Sequence, residues 1–135
     1  MSVPVRPFVD TNVLLYLLSD DAVKAERAEA LLSSRIVISV QVLNEFANVA
    51  WRKLGLPWSE VEQALIDIRR FASVQPLVLE THERGLALAK RYQLSVYDAM
   101  IAAAALEAGC TTLASEDFST GQRFENRLTV RNPFD

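Results

Sequence analysis

Five short runs of strand length recur along this chain, with helix-patterned segments between them. They are "RPFVD", ending at Asp10, "RIVISV", ending near Ser39, "PLVLE" after Pro76, "TTLAS", ending near Ser115, and "RLTVR" near the C-terminus. Each is too short to stand as an independent helix, and several are β-branched. Strands that alternate with helices form a parallel sheet covered on both faces, because each crossover packs a helix back onto the sheet. The pattern therefore predicts an α/β chain with a central, mainly parallel five-stranded sheet. The last two runs are too close together to guarantee a helical crossover between them. No Gly- or Ser-rich linker interrupts the 135 residues, so residues 1–135 are expected to be one domain.

The helical segments carry their own signals. Residues 22–33, "AVKAERAEALLS", are rich in helix formers. In residues 59–73, Val61, Ala64, Leu65, Ile68, Phe71 and Ala72 recur at three and four, with Ser59 and Glu62 as a prospective capping box. "THERGLALAKRY" reads as a helix capped by Thr81, and "VYDAMIAAAALEAG" as one stopped by Gly109.

Composition narrows the function classes. Half of the residues are hydrophobic, yet no apolar run approaches the roughly 20 needed to cross a bilayer. "MSVPVRPFVD" has no long apolar segment of the secretory kind, and Cys110 is the only cysteine. Together they lead us to expect a cytoplasmic protein without internal disulfides or membrane contact. Net charge is −3 and the pI about 5.2, so the overall field does not favour nucleic acid. RNA binding would need a local basic patch, bound cations or a partner.

In open parallel sheets, ligands bind beyond the carboxyl ends of the strands. Asp10 lies at such an end, and Glu116 and Asp117 follow the fourth run. Glu45 sits in "SVQVLNEFANVAWRK"; at roughly 100° per helical residue, Gln41, Glu45, Asn48 and Arg52 form one polar stripe on an otherwise apolar helix. Asp98 opens "DAMIAAAA", three residues after Ser95. Taken singly, each acid has an ordinary explanation. Asp10 fits a helix cap, Asp98 a capping box with Ser95, Glu45 an ion pair with Arg52 or Lys53, and Glu116-Asp117 a surface turn. Taken together, they imply a cluster. Carboxylates within 4 Å repel by about 4 kcal/mol per pair at an effective dielectric of 20. Protons or a hard cation must offset that, and oxygen-only ligands favour Mg²⁺ or Mn²⁺ over zinc. The expectation is that these oxygens converge within reach of a divalent ion.

"FVDTNVLLYLL", "VLNEFANV", "LSVYDAMIAAAA" and "LASEDFSTG" occur in the order and at roughly the spacing of PIN-domain ribonucleases. From about Phe8 to the C-terminus the chain most resembles the VapC-type toxins of bacterial toxin–antitoxin pairs. The resemblance implies a PIN-like three-layer α/β/α sandwich and a Mg²⁺- or Mn²⁺-dependent endoribonuclease. It places the catalytic, metal-holding acids at Asp10, Glu45, Asp98 and Asp117, with Glu116 the alternative fourth. Asn12 matches a supporting polar position, and Thr11 and Ser115 match hydroxyls near the cleft. It also implies an RNA substrate, an antitoxin partner and a homodimer.

Two other readings fit part of the pattern. A haloacid-dehalogenase-like phosphatase also uses a strand-end Asp, but it needs a second Asp where this chain has Asn12, and there is little room for a cap. A non-catalytic RNA- or protein-binding module would have no need for four acids. His82, the only histidine, lies far from the acid motifs in sequence, so no Ser-His-Asp or Cys-His arrangement is proposed. Cys110 reads as a small core residue, and Trp51 and Trp58 as packing residues flanking a Gly-Leu-Pro turn.

Overall fold

A computed structural model describes residues 6–135. Six strands form one sheet: β1 (Phe8–Val9), β2 (Ile36–Ser39), β3 (Ala72–Gln75), β4 (Thr112–Ala114), β5 (Arg123–Phe124) and β6 (Leu128–Arg131). Their order is β3-β2-β1-β4-β6-β5. All pairings are parallel except β5 with β6. The helices are α1 (Thr11–Leu14), running into a 3₁₀ turn at Leu15–Leu18, then α2 (Ala22–Ser33), α3 (Val40–Arg52), α4 (Trp58–Phe71), α5 (Leu79–Tyr92) and α6 (Val96–Glu107). Helices α1 to α4 pack among themselves and α5 packs on α6, giving the two outer layers of the sandwich. Among the described residues, no helix is long and apolar enough to cross a membrane.

The α/β class matches expectation, but the third strand does not. "PLVLE" is not a strand: Pro76 to Val78 are a link, and Leu79 already opens α5. The strand is the preceding "ASVQ", paired in register from Ile36↔Ala72 to Ser39↔Gln75. It is a partly exposed edge strand, so it never needed a hydrophobic run. Its formation ends α4 at Phe71, two residues before the periodic pattern does. The sixth strand is the two-residue β5, which turns back antiparallel on β6 and lets β6 lie parallel to β4 without an intervening helix.

Two caps also differ. Helix α4 starts at Trp58 after Pro57, whose carbonyl accepts from the Glu60 and Val61 amides at 3.0 and 3.1 Å, so Ser59 is inside the helix. Proline presets the backbone φ at such a start. In α5, Thr81 is the third helical residue, and its hydroxyl accepts from the Val78 amide at 3.3 Å. The α6 stop is as expected, with Gly109 at φ +77° just past the end. Trp51 and Trp58 stack on each other, ring centroids 5.0 Å apart, across the α3–α4 turn. Cys110 is buried, and burial pushes its thiol up to about 11.

Two features of this topology position the site. The chain moves outward from β1 to β2 and β3, then crosses to the other side of β1 to form β4. Strand order therefore reverses between β1 and β4, and their carboxyl ends flank a crevice. Helix α6 lies deep in the core, with Ala99 to Leu106 all buried. Its small side chains allow close approach to the sheet and α5, which fixes Asp98 in the first turn.

Gly85 of α5 faces Met100 of α6. A Cβ there would collide with Met100 Sδ and stand 2.7 Å from its Cε, while the Met100 Cα is an ordinary 3.5 Å away. Gly85→Ala should therefore change stability by no more than about 1 kcal/mol, because relief of a helix-interior glycine offsets displacement of a flexible thioether. Gly85→Leu should cost about 1–3 kcal/mol by overpacking. Urea midpoints of the two variants check this.

Candidate active site

Asp10 follows β1 directly, its amide donating to the Ala114 carbonyl at 2.9 Å, so the strand pairing carries its carboxylate to the crevice. Only 4% of the residue is exposed. Oδ1 accepts from the Thr11 amide at 2.8 Å, and Oδ2 accepts from Ser115 Oγ at 2.8 Å and Asn12 Nδ2 at 3.4 Å. The helix-capping role is thus real, but it occupies one oxygen. Burial first, and then the negative charges of Asp117 and Glu45, push this carboxyl up to about 7 against the hydrogen bonds from Ser115 and Thr11.

Ser115 ties the neighbouring elements together. It is fully buried, and its single hydroxyl donates to Asp10 while its lone pairs accept from the Asp117 amide at 3.0 Å and Asn12 Nδ2 at 3.4 Å. Asn12 in turn accepts from the Glu116 amide at 3.3 Å. The loop after β4 is thereby fastened to the start of α1. Thr11, also buried, approaches Glu45 through its hydroxyl, Oγ1 to Oε1 3.5 Å.

Glu45 is not paired with Arg52 or Lys53. Its Oε1 accepts from Gln41 Nε2 at 3.0 Å, one helical turn back on the same stripe. Gln41 also donates to the Tyr97 carbonyl at 3.0 Å, bracing α3 against the first turn of α6. We did not anticipate this positioning role; only the four-residue spacing hinted at it. Asp98 donates its amide to Ser95 Oγ at 3.2 Å, as the capping box predicted. Its carboxyl is nonetheless raised above the ordinary range, by burial first and then by the charge of Asp117, against a hydrogen bond from Ser95.

The two adjacent late acids point to different neighbours. Asp117 is the one whose charge is felt by both Asp10 and Asp98. Glu116 reaches Lys24 instead, Oε2 to Nζ 3.6 Å, where the same ammonium donates to the Tyr16 hydroxyl at 3.1 Å and lies over the Tyr16 ring. Lys24 marks the limit of basic character here: among the described residues, none of Asp10, Glu45, Asp98 or Asp117 forms an ion pair.

Asp10 thus has Asp117 and Glu45 as charged neighbours and Asp98 has Asp117, with Thr11, Asn12 and Ser115 hydrogen-bonded among them, but the expected convergence of these oxygens on one ion is not met. Among the described residues, no three His, Cys, Asp or Glu side chains stand close enough together to hold one ion as they are placed. The donor chemistry suits a hard divalent cation: carboxylate oxygens, no soft ligand, and a buried Asp10 with no protein countercharge. Holding such an ion would draw these side chains inward from their present positions.

The comparisons with known proteins concern this same architecture. Solved structures resemble it along most of its length. VapC20 of Mycobacterium tuberculosis, described as a sarcin-ricin loop cleaving toxin, superposes with a TM-score of 0.65 at 21% identity, over 82% of this chain and 88% of that one. A toxin–antitoxin complex from Klebsiella pneumoniae gives 0.69 at 22% identity, over 94% and 97%. FitAcB from Neisseria gonorrhoeae gives 0.64 at 24% identity, over 94% and 97%. No curated protein sequence matches the chain. The family model of the PIN domain matches residues 8–120, a span that begins at β1 and includes the whole crevice, and the chain belongs to that family.

Proposed function

We propose that this chain is a divalent-metal-dependent endoribonuclease and the toxin of a type II toxin–antitoxin pair. One observation carries the chemistry: Asp10 is a buried carboxylate at the strand-order reversal, facing Asp117 and Glu45 with no protein cation to offset it. Folding leaves such a charge in place at a cost, and a site for a cation is the economical explanation. The toxin role is supported by fold likeness to proteins described as toxins and toxin–antitoxin complexes.

Asp10, Asp98 and Asp117 would hold Mg²⁺ or Mn²⁺, with Glu45 completing the site. When bound, the ion supplies a more acidic water as nucleophile and positive charge beside the scissile phosphate. The protein's own residues do the rest. Ser115 and the Thr11 amide fix the Asp10 carboxylate, Ser115 also restrains the Asp117 backbone, and Gln41 and Thr11 orient Glu45. Glu116, engaged by Lys24, stands outside this set. The substrate is RNA presented as a single strand or loop. An antitoxin partner bearing Arg or Lys would compete for the same carboxylates, and the toxin is expected to act as a homodimer in the cytoplasm. A phosphatase reading is weaker, since Asn12 holds the position of its second Asp and donates to Asp10 and Ser115.

Two measurements on Asp10→Asn test the proposal. With Mg²⁺ and RNA, cleavage should fall at least about 100-fold while the circular dichroism spectrum is retained; undiminished cleavage overturns the assignment. The second test is stability without divalent ions. The Asp10 carboxyl titrates near 3.8 unfolded and about 7 folded, so the folded state binds the extra proton between those values. Wild-type stability should therefore be highest near pH 4 with respect to this group and fall as pH rises through 7. Asp10→Asn should lack that decline and be more stable than wild type at pH 8 by roughly 1–4 kcal/mol. Urea denaturation in EDTA checks the sign. Added Mg²⁺ should stabilise the wild type and not the variant.

A further inference from the structure

Beside the carboxylates lies a hollow of about 340 Å³ lined by Gln41, Asn44, Glu45, Asn48, Leu77 and Tyr97. Its makeup is unlike the rest of the crevice. Tyr97 and Leu77 supply apolar surface and are 72% and 42% exposed, although Tyr97 directly precedes a site acid on a core helix. The lining is mostly apolar, and its small polar part comes from Glu45 and three amide side chains on successive turns of α3. Glu45 is the one charged residue, and it belongs equally to the acid site, so the hollow opens where the reacting phosphate would lie.

We infer that this hollow is a nucleobase pocket, in which Tyr97 stacks the base next to the scissile phosphate and Asn44 and Asn48 read its edge. The inference rests on the nuclease reading and adds the specificity element to it. Aromatic rings stack unpaired bases of any identity, and carboxamides present a donor and an acceptor together, as base edges require. The walls are preorganised: Gln41 clamps α3 to the Tyr97 carbonyl and to Glu45 at 3.0 Å each, which fixes the backbone bearing the ring without using Asn44 or Asn48. The ring itself has only two torsions to order when a base stacks on it. A phosphate does not suit the pocket, which has no cationic side chain. A guanidinium from a protein partner suits it less well than a base, because it only donates and leaves the amide N–H groups of Asn44 and Asn48 without an acceptor, whereas a base edge offers both. The pocket takes a base only from unpaired RNA, since a base inside a duplex keeps its faces stacked.

The test uses purified wild type, Tyr97→Ala, Tyr97→Phe and Asp10→Asn with short single-stranded RNA oligonucleotides and Mg²⁺. A second set of oligonucleotides carries one abasic residue on either side of the cut. Tyr97→Ala should raise KM roughly 5- to 100-fold with a much smaller fall in kcat, and Tyr97→Phe should restore most of the loss. An abasic residue at the stacked position should penalise wild type and Tyr97→Phe but not Tyr97→Ala. Asn48→Ala should flatten preference among the four bases at that position. Tyr97 is exposed, so thermal unfolding of its variants should match wild type. If the wild type cuts RNA, Asp10→Asn does not, and Tyr97→Ala behaves as wild type on both substrate sets, the pocket is overturned while the nuclease stands. Loss of affinity for a protein partner in Tyr97→Ala, with RNA cleavage intact, overturns it in favour of a guanidinium site. If wild type and Asp10→Asn alike leave every RNA uncut, the nuclease reading fails and the pocket falls with it.

Discussion

The hydrogen bond from Ser115 to Asp10 joins the two strand ends between which strand order reverses. It is short, 2.8 Å, and both residues are buried. A bond to a buried carboxylate is among the stronger ones a protein makes, and here it works against burial. Were the oxygen left unpaired, the full desolvation cost of the carboxylate would fall on the β1–β4 junction. Because the hydroxyl also accepts from the Asp117 amide, one side chain sets the distance between the first acid and the last. Asp98 and Glu45 are then placed by packing instead: α6 by the small residues that let it sink into the core, α3 by the buried Val42, Phe46 and Ala50 on the face flanking the Glu45 stripe.

This division explains the electrostatics of the site. The Asp10 carboxylate, fastened by polar bonds, cannot turn away from its neighbours, and the raised values at Asp10 and Asp98 follow from burial and from the charge of Asp117. Lys24, the cation beside the late acids, is drawn off by Glu116 and Tyr16. A protein that needed only stability could have removed this frustration by pairing or by apolar replacement. Its retention at a crevice fits a site that waits for a cation.

How far the sequence disclosed this depended on range. Helix α2 was legible to the residue, because a run of helix formers acts locally. The polar stripe of α3 was equally visible, since helical geometry alone put Gln41 and Glu45 on one face. "PLVLE" misled because composition rewards a short apolar run, whereas pairing chose "ASVQ", whose register with β2 involves residues about 36 positions earlier. An edge strand exposes one side and so carries little hydrophobic signal. Strand β5 is two residues long and exists only because β6 lies opposite. The sequence put the acids near one edge of the sheet but not at the spacing they have, and it could not tell Glu116 from Asp117; the Lys24 pairing of Glu116 comes from a helix some 90 residues upstream.

The net charge of −3 sets the condition that the proposed nuclease role, and every binding term that follows from it, must meet: an acidic surface taking hold of a polyanion. Most nucleic-acid binding draws on lysine and arginine at phosphates. The crevice has little of that: Arg69 and Arg70 lie in the last turn of α4 and Lys90 and Arg91 in that of α5, while Asp10 and Asp117 follow β1 and β4, Glu45 sits in the second turn of α3 and Asp98 in the first turn of α6. Affinity must then come from terms that charge does not oppose. A bound divalent ion converts the acid cluster from a repulsive to an attractive surface for one phosphate. Neutral contacts to a base, a ring beneath it and amides at its edge, add binding energy that grows with neither strand length nor phosphate count. Such a surface holds one or two nucleotides firmly and the rest of the chain weakly. That favours selection of a particular exposed loop over indiscriminate capture of RNA, and it makes the choice of substrate depend on shape around the crevice more than on charge.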